Sequence, residues 1–304
     1  MTEYPKRAGY VALLGRPNVG KSTLLNCLLA QKISITSPKP QTTRHTILGI
    51  QTLPDTQIVY VDTPGLHLNA RRAMNRYLNR AAGSVLAYVH VVVFLIEALR
   101  WSEEDDAVLK RLAAFEGPVI LAVNKVDRIA EKAQLLPFLQ EQGGKRVFAE
   151  LVPISALKAD NVTVLERLIA DLLPESDFLF PEDQVTTVSQ RFIAAELIRE
   201  KLTRYLREEL PYALTVDIET FAEQQSLLRI GAVIWVERQG QKRIVIGEKG
   251  ATLKEVGRQA RTDMEKIFGC KVFLETWVKV REGWSDDERA LRSFGYQEQD
   301  DHQA

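Results

Sequence analysis

The feature that most constrains this chain is the run Gly15-Arg16-Pro17-Asn18-Val19-Gly20-Lys21-Ser22, set between the apolar stretch 9–14 and the helix-patterned stretch 23–29. A G-x-x-x-x-G-K-S spacing between a strand and a helix is the context that a phosphate-binding loop requires. The glycines let backbone N–H groups curl around a phosphate, and the helix beginning near Lys21 aims its positive dipole end at the anion. Lys21 is suited to neutralise β- and γ-phosphates and the Ser22 hydroxyl to ligate Mg²⁺, so Gly15 to Ser22 and the following Thr23 are candidate nucleotide contacts.

Further strand-like runs recur at 46–52, 57–61, 89–96, 119–123 and 151–154, and helix-patterned stretches separate most of them, at 70–82, 103–115, 130–140 and 162–173. Alternation of this kind predicts an α/β fold, a parallel sheet with helices on both faces, whose ligands sit at the carboxyl ends of the strands. The pattern breaks at Leu173-Pro174-Glu175-Ser176-Asp177-Phe178-Leu179-Phe180-Pro181-Glu182-Asp183, where two prolines and several acids read as a linker. Beyond it the expected order is a helix over 189–209, strands at 213–221 and 228–236, the second continued by 242–246, a helix over 251–268 and a strand at 271–280. That is a smaller α+β domain. The expected organisation is a first domain over 1–174, a linker over 175–188, a second domain over 189–283 and a C-terminal segment over 284–304.

Forty basic and forty acidic residues cancel, so any affinity for nucleic acid or a membrane surface has to come from a local patch. The two cysteines, Cys27 and Cys270, form neither a C-x-x-C pair nor a Cys/His cluster, which argues against a zinc site or a disulfide framework and fits a reducing compartment. The first seven residues lack the apolar core of a signal peptide, and the most apolar run, 89–96, is far too short to span a bilayer. A cytoplasmic location is the default expectation.

A phosphate loop alone leaves ATPases, small-molecule kinases and GTPases open. Asn124-Lys125-Val126-Asp127 decides, because it follows an apolar strand and because a carboxylate at Asp127 can accept from guanine N1–H and the 2-amino group. Adenine would leave that carboxylate facing a lone pair, a penalty of about 1–3 kcal/mol. Asp62-Thr63-Pro64-Gly65 ends another strand. Asp62 there can reach Mg²⁺ through water, and the Gly65 N–H can bond a γ-phosphate oxygen only while that phosphate is present. The loop after Gly65, through Leu66, His67 and the Arg71–Arg80 segment, then becomes a nucleotide-dependent switch, with His67 a solvent-exposed switch residue. The polar loop 34–45 is suited to order and disorder, and Thr43, preferred over Thr42, would complete a metal shell of Ser22, Thr43 and Asp62. Ser155-Ala156-Leu157 ends the last strand and would offer the Ala156 N–H to guanine O6. Lys21, Asn18, Thr43 and Gly65 are the candidates for catalysis of GTP hydrolysis to GDP.

In the second half, Gly247-Glu248-Lys249-Gly250 is a G-x-x-G between an apolar run and a helix, the loop with which KH domains clamp about four nucleotides of single-stranded RNA. Between Arg238 and Glu282 there are eleven basic residues against six acids, in a chain whose total is zero. Lys242, Arg243, Lys254 and Arg258 are the candidate phosphate contacts beside the G-x-x-G, with a wall of Ile246, Val256 and Ala260. Trp277 and Trp284 could stack on bases, core packing being the expectation for Trp277. Ser285 and Glu288 read as a capping box for a short last helix.

The loops G-R-P-N-V-G-K-S, Q-T-T-R-H, D-T-P-G-L-H and N-K-V-D resemble those of the translation-factor-related GTPases, and most closely those of the bacterial Era family. The resemblance extends from about Gly9 to Tyr296 and includes a type II KH domain. It implies binding of the 3′ end of 16S rRNA, a role in small ribosomal subunit assembly, a monomer, and at most a peripheral contact with the inner membrane. A membrane-associated or cell-cycle regulatory GTPase whose KH-like module docks a protein is the alternative. Where Ras has a water-orienting glutamine this chain has Leu66, so intrinsic hydrolysis is expected to be slow. Asn18 matches the asparagine that ligates K⁺ in potassium-dependent relatives, or it is a turn residue. Val188 and the stretch 87–90 depart from the family pattern. If Asp127 reads guanine, Asp127→Asn shifts preference from guanine to xanthine nucleotides, measured as the ratio of GDP to XDP dissociation constants; loss of all binding without that shift contradicts the assignment.

Overall fold

The computed structural model describes residues 5–39, 41–65, 73–207 and 210–296. Leu66, His67, Arg71 and the polar tail 297–304 lie outside the described residues. In chain order the elements are β1 (Arg7–Leu14), α1 (Lys21–Leu28), β2 (Ile47–Thr52), β3 (Thr56–Asp62), α2 (Ala73–Ser84), β4 (Val91–Glu97), α3 (Glu103–Leu112), β5 (Val119–Asn124), α4 (Leu135–Gly143), β6 (Glu150–Pro153), α5 (Val162–Leu172), α6 (Gln190–Tyr205), β7 (Leu214–Gln224), β8 (Leu227–Val236), α7 (Gln239–Ile246), α8 (Ala251–Phe268), β9 (Lys271–Val280) and α9 (Glu288–Ser293). They form two compact units: Met1–Ser34, Thr43–Asn69 and Leu78–Thr187 make the first, and Ile35–Thr42, Ala70–Tyr77 and Val188–Ala304 the second.

The first unit is built on a six-stranded sheet of order β2-β3-β1-β4-β5-β6. Residues 91–96 of β4 and 120–123 of β5 are inaccessible to solvent, as expected of strands covered on both faces by helices. The sheet is not wholly parallel. β2 runs antiparallel to β3 because only residues 53–55 join them, and a parallel pair needs a crossover of a dozen residues or more. The remaining pairs are parallel, with Leu13 opposite Asp62 and Glu97 opposite Asn124, so the loops that follow β1, β3, β4 and β5 leave one edge together. α3 starts at Ser102, whose N–H and hydroxyl both donate to Asp105 Oδ2, at 3.0 and 2.8 Å. The acidic stretch 175–187 is tied to this unit by backbone bonds: Leu179 and Phe180 N–H donate to Gln57 Oε1, and Ile50 N–H donates to Val185 O.

The second unit has a three-stranded sheet of order β7-β8-β9, antiparallel in the β7–β8 hairpin and parallel between β8 and β9. Its core gathers Leu197, Ile198 and Leu202 of α6, Val256, Ala260 and Met264 of α8, and the inward side of the strands. α6 is N-capped by Ser189, whose hydroxyl accepts from Phe192 N–H. The segment 35–42 belongs to this unit. Thr36 N–H donates to Glu200 Oε1 at 3.0 Å, and Arg199, paired through Nε with Glu196 Oε1 at 2.7 Å, also donates to the Thr42 carbonyl.

Three sequence expectations are corrected here. Residues 242–246 are not a strand but part of α7. Of the apolar run Ile244-Val245-Ile246 only Val245 is fully buried, and Ile244 is 55% exposed, as one face of a helix and not a buried strand would have it. The helix is started by Gln241, whose Oε1 accepts from Glu237 and Arg238 N–H, and ended by Gly247 at φ 76°. The order is thus helix, strand, strand, helix, helix, strand. Ser285 and Glu288 do not form a capping box. Asp287 caps α9 by accepting from Arg289 and Ala290 N–H, while Ser285 Oγ donates to Glu237 Oε1 at 2.5 Å. The tryptophans also exchange expectations: Trp277 faces outward from β9 at 47% exposure, whereas Trp284 is inaccessible, edge-on to Phe294 and stacked on Tyr296. Trp284→Ala is expected to cost about 3–5 kcal/mol of stability and Trp277→Ala about 1 kcal/mol or less, measured by denaturant unfolding. Equal losses would contradict this packing.

Candidate functional site

At the carboxyl edge of the first sheet, Gly15–Gly20 forms the loop between β1 and α1. Gly20 sits at φ 108°, and a Cβ at that position would lie 2.3 Å from Asn124 Nδ2. Only glycine fits both the dihedral and the approach. Asn18 takes a left-handed φ of 62° and is exposed at the rim of the loop. Lys21 is buried, and its ammonium donates to the carbonyls of Gly15 (2.9 Å) and Arg16 (3.1 Å). Burial, only partly offset by the Asp62 charge, brings its pKa down from the usual lysine range to about 8.

Beside it, Ser22, Thr43 and Asp62 converge. Ser22 Oγ donates to Asp62 Oδ2 at 2.8 Å and lies 2.7 Å from Thr43 Oγ1, and Ser34 Oγ donates to the same carboxylate oxygen at 3.0 Å. Thr42 takes no part; its hydroxyl donates to Lys39 O. The Asp62 carboxylate is inaccessible, and its Oδ1 has no hydrogen-bond partner among the described residues. Burial pushes its pKa up, against the Lys21 charge and the hydroxyl hydrogen bonds. An unpartnered, buried carboxylate oxygen amid hydroxyls is a hard-oxygen donor set, which suits Mg²⁺. Thr63 donates to Leu13 O, and a Cβ on Gly65 would come within 3.0 Å of Pro17, so Gly65 lies against the phosphate loop.

The base-reading candidates meet the phosphate loop through one side chain. Asn124 Nδ2 donates to Val19 O at 2.7 Å, and its Oδ1 accepts from Ala156 N–H at 3.0 Å. Asp127 accepts from Ser155 Oγ at 2.6 Å, while Leu157 is 67% exposed. Lys125, in a left-handed conformation at φ 69°, extends to Glu97 Oε1 at 3.1 Å. Glu97 Oε2 in turn accepts from Arg16 Nη2 at 2.7 Å, and Arg16 Nε reaches Asp105 Oδ2 at 3.2 Å. Sequence reasoning does not single out Glu97 or Asp105 as site residues. The signal that points to Glu97 is an acid closing an otherwise apolar strand, in register with Asn124.

In the second unit the G-x-x-G is the tight turn between α7 and α8. Gly247 at φ 76° would place a Cβ 2.3 Å from Thr252 Oγ1, Lys249 is at φ 49° and Gly250 at φ 81°. A groove of about 750 Å³ opens beside it, lined by Gly250, Leu253, Lys254, Arg258, Arg261 and Leu274 among others. Glu248 and Lys249 are exposed in the turn, whereas Lys242 and Arg243 lie on α7 and do not line the groove. Val256 and Ala260 face the core, so the apolar wall is Leu253 and Leu274. Arg258 is paired with Glu255 at 2.7 and 2.9 Å, and its hydrogen bonds hold that carboxyl down at about 2.

Comparison with known proteins finds a GTPase domain followed by a KH domain. A family model described as a 50S ribosome-binding GTPase matches residues 10–125, and a KH-domain model matches residues 209–285. The chain is 59% identical over 300 residues to the GTPase Era of Xanthomonas oryzae pv. oryzae, covering 98% of this chain and 99% of that one. It is 58% identical over 290 residues to GTPase Era of Pseudomonas aeruginosa, covering 95% of each. Among solved structures, a point variant of Aquifex aeolicus Era bound to GDP·AlF4⁻ superposes with a TM-score of 0.92 at 39% identity, over 96% of this chain and all of that one. An Era complex with MgGDPNP and nucleotides 1506–1542 of 16S ribosomal RNA does so with the same score, identity and coverage.

The Lys21 ammonium gives a signed pH prediction. Free, it loses its proton near pH 8; beside nucleotide phosphates it is held protonated. Below pH 8 the lysine is charged in both states and affinity is flat. Above pH 8 binding must take up a proton, so GDP affinity is expected to fall toward tenfold per pH unit, measured by titration between pH 7 and 9.5. A flat profile across that range would contradict it.

Proposed function

The chain belongs to the Era family of GTPases, and from that membership we propose that its GTP state controls binding of the 3′ end of 16S rRNA by the KH domain during small ribosomal subunit assembly. The single observation that carries this reading is the presence in one chain of a guanine-nucleotide site and of a G-x-x-G turn that heads a groove with Lys254, Arg258 and Arg261 on its wall. The chain hydrolyses GTP, as its family does, and the roles we assign follow the geometry. The backbone of Gly15–Ser22 wraps the phosphates, and Lys21 turns its charge from the loop carbonyls to the β- and γ-phosphates. Asp127, Asn124 and the Ala156 N–H take the guanine.

Ser22, Thr43 and Asp62 would hold Mg²⁺, which neutralises charge developing on the transferred phosphoryl group. The unpartnered Asp62 oxygen and the Ser22 and Thr43 hydroxyls are the groups that would hold the cation. The Gly65 N–H would bond a γ-phosphate oxygen. We assign Asn18, exposed at the loop rim, to a potassium ion beside the phosphates. The protein acts in the cytoplasm. No helix among the described residues is long and apolar enough to cross a membrane.

In the second domain the glycine turn lets the RNA backbone approach closely, the N-terminus of α8 attracts a phosphate, and Leu253 and Leu274 offer apolar surface to the bases. Arg258 shares its charge with Glu255, so Lys254 and Arg261 carry more of the electrostatic attraction. Coupling follows from chain connectivity. Ser34 and Thr43 belong to the metal cluster, and the segment between them, 35–42, is part of the second unit, bonded to Glu200 and Arg199 of α6.

The test is a salt titration of affinity for a single-stranded RNA oligonucleotide bearing the 16S 3′-end sequence. Four phosphate contacts predict a log–log slope of about −3, and Lys254→Ala should weaken binding of all sequences alike and reduce that slope by just under 1. No measurable RNA binding at low salt would overturn the proposal.

A further inference from the structure

Glu97 occupies a position that nucleotide contact does not explain. It is the last residue of β4, and its backbone is fixed on both sides: it is in register with Asn124, Ala98 N–H donates to Asn124 O at 2.8 Å, and Arg100 N–H turns back to Glu97 O at 3.1 Å. The carboxylate leaves this turn between two loops and divides its oxygens between them. Oε2 accepts from Arg16 of the phosphate loop at 2.7 Å, and Oε1 from Lys125 of the base loop at 3.1 Å. Each cation is itself constrained. Arg16 is only 6% exposed, and its Nε is held by Asp105, an inaccessible carboxylate locked by Ser102. The Arg16 carbonyl is one of the two that carry the Lys21 ammonium. Lys125 adopts a left-handed backbone at φ 69° to point where it does. Arg16 and Lys125 repel each other, and the anion between them offsets that repulsion beside the Asn124–Val19 bond that also joins the two loops.

We propose that Glu97 is a positioning residue that acts beside the Asn124–Val19 bond to hold the phosphate loop and the base loop in register, so that one guanine nucleotide is gripped at both ends. The inference rests on reading Gly15–Ser22 and Asn124–Asp127 as those loops. That reading fails separately, if the unmodified protein does not bind GDP.

The sign of the effect separates this role from simple charge. A carboxylate near a polyanion site is unfavourable by Coulomb's law, so neutralising it should tighten nucleotide binding if Glu97 acts only through its charge. If it acts by holding the loops in register, neutralising it should weaken binding, because the nucleotide must then order two loops that were already ordered. Shortening distinguishes the same alternatives at constant charge, since an aspartate lacks the methylene needed to reach both cations at once. Loss of the span also has a signature in specificity. IDP lacks the 2-amino group that Asp127 would accept from, so the GDP-to-IDP ratio measures how firmly the base loop is held while the phosphate loop is engaged.

The experiment uses the full chain with Glu97→Gln and Glu97→Asp, titrated with GDP and IDP, alongside thermal unfolding of each variant. The expected result is GDP affinity reduced by about tenfold or more in both variants, with a reduced GDP-to-IDP ratio. Unchanged or tighter GDP binding in either variant overturns the proposal. So does a lowered melting temperature with an unchanged GDP-to-IDP ratio, which would make Glu97 a stabilising ion pair and nothing more.

Discussion

The nucleotide site depends on one buried amide bonded through both its nitrogen and its oxygen. Parallel strands deliver their loops to one edge of the sheet, but nothing in the strand geometry says how far apart those loops stand. Asn124 sets that distance by donating to Val19 O and accepting from Ala156 N–H, and it is almost wholly buried. A buried amide that lost either partner would carry a desolvation penalty of about 1–3 kcal/mol, so the three loops are held together by the cost of separating them. Gly20 is part of the same constraint, since any side chain there would strike the amide. The ion pairs of Glu97 lie just outside it and join the same loops through charge.

The metal cluster shows the opposite balance. Asp62 is buried with one oxygen unpartnered, burial pushes its pKa up, and the Ser22 and Ser34 hydroxyls donate to the other oxygen, with Thr43 Oγ1 beside Ser22. Such an arrangement is unfavourable by itself and is one that a divalent cation would stabilise. The eight residues from Ile35 to Thr42 belong to the second unit, anchored by buried charges of α6. In the proposed coupling, ligand energy at Ser34 and Thr43 would act at one end of a short segment whose other contacts lie in the second unit.

Much of this was legible in the sequence because the relevant signals are local. G-x-x-x-x-G-K-S, D-T-P-G and N-K-V-D each sit at the end of an apolar run, and the sheet brings those ends together. Residues 242–246 misled because a three-residue apolar run has no period, and only the Gln241 cap and the exposure of Ile244 show it to be helical. The tryptophans misled for a related reason. Strand alternation alone does not say which face is covered, and the covering of Trp284 by Phe294 and Tyr296 is a contact of tertiary structure. Glu97 and Asp105 were illegible as site residues because an acid at a strand end or in a helix's first turn is ordinarily solvated. Their partner, Arg16, lies more than eighty residues away.

Linkage requires that if GTP favours the RNA-competent arrangement, RNA favours GTP over GDP by the same factor. The most direct test of the account is therefore the affinity of the full chain for the 16S 3′-end oligonucleotide, measured once saturated with a non-hydrolysable GTP analogue and once with GDP, both with Mg²⁺. The account predicts tighter binding in the GTP-analogue state by about fivefold or more. Equal affinity in the two states would contradict it, leaving a GTPase and an RNA-binding domain joined in one chain without communication between them.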